Sequence, residues 1–110
     1  MEAAVLYKPK KKLKVLKNIQ VPSLKSRQVL VKIKYTSICG SQIFEIDGNR
    51  GKNKYLPHML GHEASGIIYK IGRNVKKLKI GDKVFLSWIK NESKDAEKPV
   101  YIYKKKKINA

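Results

Sequence analysis

Cysteine is almost absent from the 110 residues: Cys39 is the single example, so no disulfide can form within the chain. That usage fits a reducing compartment. Arginine is scarce too. Of 26 basic residues only Arg27, Arg50 and Arg73 are arginines, which leaves 23 lysines. No apolar run approaches the roughly 20 residues that span a bilayer, so no membrane helix is expected. The N-terminus carries Glu2 and lacks a continuous apolar stretch, so it does not read as a secretory signal. A cytoplasmic protein is expected. No internal repeat occurs, and nothing matches G-x-G-x-x-G after a strand. The segment Gly48-Asn49-Arg50-Gly51 has neither that spacing nor that setting, so no dinucleotide site is expected in these residues.

What is abundant is positive charge. Eight acidic residues leave a formal net charge of +18. Such a charge draws a chain toward nucleic acid or other polyanions. Yet lysine is a hydrated point charge, whereas forked phosphate and guanine contacts favour arginine. The lysines are spread along the chain, apart from short runs at 10–12 and 104–107, and no arginine–aromatic interleaving occurs. The charge therefore reads as a solvated surface, and nucleic-acid binding is not the expected main function. A basic β-barrel module for polyanions is the alternative that charge alone supports. The hydrophobic fraction of 42% is that of an ordinary globular chain, and the length suits one domain over 1–110.

Short strands dominate the pattern. Residues 3–7 form a brief apolar run, and Leu13, Val15 and Ile19 alternate with lysines, suggesting a half-exposed strand pair. Over 29–36 the alternation predicts a strand with Val29, Val31, Ile33 and Tyr35 on one face and Lys32 and Lys34 on the other. Residues 64–71 and 84–89 are β-rich runs bounded by Gly61, Gly72 and Gly81, with Gly81-Asp82 as a tight turn. A short helix over 40–47, closed by Gly48, is expected. Residues 91–99 read as a polar loop and 100–103 as a last edge strand. Together 90–110 form a polar loop and lysine-rich tail. The fold class predicted is mainly β, a partly open barrel with one or two short helices.

Taken singly, Cys39 and His62 suit a small buried residue and a structural histidine as well as they suit ligands. His58 and His62 are four apart, a spacing that serves one metal on a helix. Pro57 and Gly61 argue against a helix there, so His58 is the weaker candidate.

Their framing is more specific. Cys39-Gly40-Ser41 follows the long strand, and Gly61-His62-Glu63-Ala64-Ser65-Gly66 leads to Ile71-Gly72, Val75 and Gly81-Asp82-Lys83-Val84. From about residue 3 to 88 the chain closely resembles the N-terminal GroES-like domain of the zinc-dependent medium-chain alcohol dehydrogenases. The resemblance implies that Cys39 and His62 are catalytic-zinc ligands. It makes Glu63 an adjacent carboxylate able to join them, Ser41 the hydroxyl that passes on the substrate proton, and Trp88 a wall of the substrate pocket. It further implies an alcohol substrate and hydride transfer to NAD or NADP.

Three departures qualify that expectation. Relatives with a structural zinc hold it on four cysteines just after the Trp88 region, where this chain has Lys90-Asn91-Glu92-Ser93. Gln42 stands where many relatives carry an aspartate supporting the zinc histidine, and Phe44 where some carry a relay histidine. The nucleotide-binding half, with the remaining zinc ligand, is expected outside these residues. The chain by itself is expected to hold zinc weakly or not at all and to be inactive, with a homo-oligomer only for the full-length form. A co-chaperonin-like assembly protein would share the barrel, but not the Cys39 and His62 framing.

Overall fold

The computed structural model describes residues 1–89 and 96–110. The chain is mainly β with one short helix, as predicted. Its strands are β1 (Ala3–Leu6), β2 (Lys14–Leu16), β3 (Val29–Thr36), β4 (His58–Met59), β5 (Ala64–Ile71), β6 (Lys83–Leu86), β7 (Tyr101–Tyr103) and β8 (Lys106–Ile108). The helix α1 (Gly40–Ile46) falls between β3 and β4 in the chain. Among the described residues the strands form three separate sheets and no closed barrel. Most of the loop expected over 91–99 lies outside the described residues. No helix among them is long and apolar enough to cross a membrane.

Packing divides the chain into two compact units. The first comprises Met1–Pro22, Ile38–Leu60 and Pro99–Ala110. It holds the antiparallel sheet β2-β1-β4 and the hairpin β7-β8. Successive strand residues point to opposite faces, so the burial of both Val5 and Leu6 means that β1 is covered on both sides. Val5, Leu16, Ile19, Met59 and Ile108 make the core, with Ala3, Tyr101 and Tyr103 against it. Val15, expected on the apolar side of its strand, is exposed, while Leu16 and Ile19 are buried. The pairing Ala4↔Val15 sets this register, and a slip of one residue exchanges the faces of a strand. The supposed lysine tail also departs from expectation. Lys104 and Lys105 occupy a tight turn, and β8 returns Ile108 to the core.

The second unit comprises Ser23–Ser37 and Gly61–Lys98 and holds the antiparallel sheet β3-β5-β6. β3 has the predicted bounds, but register shifts interrupt it at Leu30/Val31 and Ile33/Tyr35. Bulges break the period of two, and Ile33 and Tyr35 are exposed rather than on a buried face. Gly66 faces the interrupted stretch, where a Cβ would come within 2.5 Å of the Lys32 carbonyl oxygen. Ile68 is buried and its backbone is tied at both ends, donating to the Asp82 carbonyl and accepting from Gly81. The Gly81-Asp82 turn forms as expected, with the Asp82 carboxylate accepting from the Lys79 amide at 2.9 Å. β6 stops at Leu86, so Trp88 and Ile89 lie beyond the strand expected to contain them.

Candidate metal centre

β3 ends at Thr36, paired with Ala64 at the start of β5, so the residues that follow one strand run beside those that precede the other. Two hydroxyls from the β3 end hold Glu63. Thr36 Oγ1 donates to its carbonyl oxygen at 2.8 Å, and Ser37 Oγ donates to its carboxylate Oε2 at 2.8 Å. His62 is half-buried, with Nε2 at 3.7 Å from Glu63 Oε1. Gly61 before it has φ +128, a conformation that L side chains rarely adopt. Two adjacent functional groups thus leave the sheet together, and one of them is fixed by a hydroxyl.

Cys39 follows Ser37 by two residues, so its Cα lies within about 7 Å of the Ser37 Cα by chain geometry. It is half-buried and forms the N-cap of α1 in extended conformation, without a side-chain capping bond. Ser41 is the second residue of the helix. It lies exposed in the first turn of the helix. Trp88 is exposed to 69%, which excludes a place in the core. Gln42 is buried, and its Nε2 has no hydrogen-bond partner among the described residues.

His58 has a different use from the one its spacing suggested. Its Nδ1 donates to Oε1 of Glu45 at 2.6 Å, an oxygen that also accepts from Asn53 Nδ2 at 2.8 Å. Arg50 lies 3.5 Å from the other carboxylate oxygen. Glu45 is only 4% exposed. Burial pushes its carboxyl up, but the hydrogen bonds from His58 and Asn53 and the charges of His58 and Arg50 outweigh that and hold it below the usual range. Sequence reasoning missed this cluster. The signal available was the i, i+3 spacing of Gln42 and Glu45, which puts both on one helix face. Ser37 was missed too, because only the β3–β5 pairing brings it to Glu63.

The fold is GroES-like, of the kind found in zinc-dependent alcohol dehydrogenases. The structure resembles zinc dependent alcohol dehydrogenase 2 from Streptococcus pneumonia, with a TM-score of 0.67 and 31% identity, covering 79% of this chain and 24% of that one. Benzyl alcohol dehydrogenase from Acinetobacter calcoaceticus gives a TM-score of 0.64 and 34% identity, over 74% and 22%. Residues 25–105 match the family described as Alcohol dehydrogenase GroES-like domain, and the chain belongs to it. Among its relatives, D-xylulose reductase of Saccharomyces cerevisiae is 44% identical over 88 residues, covering 77% of this chain and 24% of that protein. D-arabitol-phosphate dehydrogenase of Enterococcus avium is 45% identical over 67 residues, covering 61% and 19%. The chain thus spans about a quarter or less of the length of these oxidoreductases.

Proposed function

We propose that this chain is the catalytic-zinc half of an NAD(P)-dependent alcohol or polyol dehydrogenase, with Cys39, His62 and Glu63 as its metal ligands. Each is half-buried and offers one ligand atom. A thiolate, an imidazole and a carboxylate suit zinc, and catalytic zinc sites commonly use three protein ligands with one position left open. The observation that carries the reading is the Ser37–Glu63 hydrogen bond. It fixes the carboxylate beside His62 from the very segment that runs on to Cys39.

Zinc bound there would supply a Lewis acid for the oxygen of an alcohol. The chain's own residues have separate tasks. Cys39 and His62 bind, Ser37 orients Glu63, and the exposed Ser41 hydroxyl takes the substrate proton outward. Trp88, left uncovered beyond β6, lines the substrate pocket. Similarity to D-xylulose reductase and D-arabitol-phosphate dehydrogenase favours a polyol or its phosphate as substrate. Hydride transfer needs a nicotinamide-binding domain, for which the greater length of the relatives leaves ample room, and these residues alone are expected to show no turnover.

A single cysteine makes the test direct. With zinc in large excess, to offset the weak binding expected of these residues alone, the Cys39 thiol should be protected from iodoacetamide, and His62→Ala should remove the protection. Equal alkylation rates with and without zinc would refute the ligand set.

A further inference from the structure

The Glu45 cluster lies outside the proposed donor set, yet its place in the chain links the segments that carry the donors. Glu45 sits on α1, the helix that Cys39 caps, and His58 opens β4, from whose last residue the chain reaches His62 in three steps. β4 is firmly held. It pairs with β1 through Val5↔Met59 and Leu6↔His58, the Met59 amide donates to the Asn109 carbonyl, and the Asn109 amide donates to that of Pro57. The helix has fewer ties to the rest of its unit, chiefly the Lys10 amide donating to the Ile46 carbonyl at its end at 2.6 Å. Seven residues are too few to hold helical structure alone, and Ile43 and Phe44 face outward. It is the polar face, Gln42 and Glu45, that is buried.

A buried carboxylate is a poor way to gain stability, because apolar residues of the same volume often do as well or better. What a hydrogen-bonded pair supplies is direction. The short bond from His58 Nδ1, with Asn53 on the same oxygen, leaves α1 little freedom to slide along or turn against β4. We propose that Glu45 and His58 are positioning residues for the metal centre: their hydrogen bond sets Cys39, at the start of α1, against the strand that leads into His62. This rests on the reading of Cys39 and His62 as ligands, and adds a pair that touches neither metal nor substrate.

Cobalt titration of the 110-residue chain tests it, since a thiolate-to-cobalt absorption band reports Cys39 ligation directly. Glu45→Ala and His58→Leu should each weaken cobalt binding about tenfold or more, within the range for residues that orient metal ligands. They should also alter the band per bound metal, under conditions where circular dichroism shows the chain folded. Glu45→Gln, whose amide can still span to His58, should stay close to wild type. Ile108→Val loosens the same core without touching the pair and should leave affinity unchanged. If Glu45→Ala does not fold, His58→Leu decides, because it leaves the carboxylate with Asn53 and Arg50. Unchanged affinity and band in the Ala and Leu variants, while Cys39→Ser loses the band, would overturn the inference alone. So would an equal loss in Ile108→Val. No cobalt uptake by the wild type even with the metal in large excess, or full uptake by Cys39→Ser and His62→Ala, would overturn the metal centre itself and the inference with it.

Discussion

Ser37 donates its hydroxyl hydrogen to the Glu63 carboxylate at 2.8 Å, one residue beyond the last pair of the β3–β5 ladder. The strand pairing thus does more than build a sheet. It delivers a hydroxyl to the carboxylate that stands beside His62. Ser37→Ala removes this bond at an exposed position, so the stability change should stay at or below about 1 kcal/mol. Glu63 then loses its orientation, and zinc should protect Cys39 from alkylation several-fold less well. A thermal melt and an alkylation time course separate the two effects. Full protection in the variant would show that Ser37 does not orient the donor.

Activity is the second test, made in a form of the protein that contains a nicotinamide-binding domain. There Cys39→Ser and His62→Ala should each reduce turnover to background and lower bound zinc, because each removes a proposed ligand. Ser41→Ala should keep its zinc and lose rate instead, as expected for a group that moves a proton. General acid–base catalysis of this kind contributes about 10²- to 10⁴-fold. Zinc content by atomic absorption beside steady-state rates distinguishes the cases. Unimpaired turnover in Cys39→Ser would refute the zinc assignment.

Much of the fold was legible because local signals agreed. The alternating run over 29–36 gave β3 its bounds, and Gly48 marked the end of α1 within a residue. The faces were harder to read. From Lys32 to Thr36 every residue of β3 is exposed, so Ile33 and Tyr35 are uncovered along with the lysines, and alternation alone does not say where a strand leaves the core. α1 defeats the hydrophobic rule more plainly, since it buries Gln42 and Glu45 and exposes Ile43 and Phe44. Partners from beyond the helix, His58 on β4 together with Asn53 and Arg50, make burial of that glutamate tolerable. The motif residues were found through family framing, while Ser37 and Glu45 act through pairings formed only in three dimensions.

Acid should expose the Glu45 link. The folded-state pKa lies below the ordinary value of about 4.3, so near that pH the unfolded chain binds more protons than the folded one. Stability from this group is therefore fully present above about pH 4.3 and is lost as pH falls through the lower, folded value. Urea midpoints from pH 6 to pH 3 should fall more steeply for wild type than for Glu45→Gln, which cannot ionise there. Identical slopes would show that Glu45 has no depressed pKa in the folded chain.

The lysine turn offers a stabilising change. Lys104 has φ +46 and Lys105 φ +65, joining Tyr103 to Lys106 across the β7–β8 hairpin. Positive φ at both central residues marks the tight turn that suits right-twisted strands, and Asn-Gly is its preferred pair. Lysine in this region is strained by about 1 kcal/mol or more, since Cβ crowds the following carbonyl. The two neighbouring ammonium groups also repel each other, though water screens them. Lys104→Asn combined with Lys105→Gly should therefore stabilise the chain by about 1 kcal/mol, with a matching rise in the urea midpoint. The gain should persist at high salt, because it comes from backbone conformation and not from relief of charge. If salt abolished it, repulsion rather than strain would be the cost carried by this turn, and Lys104→Gln with Lys105→Gln would give the same benefit.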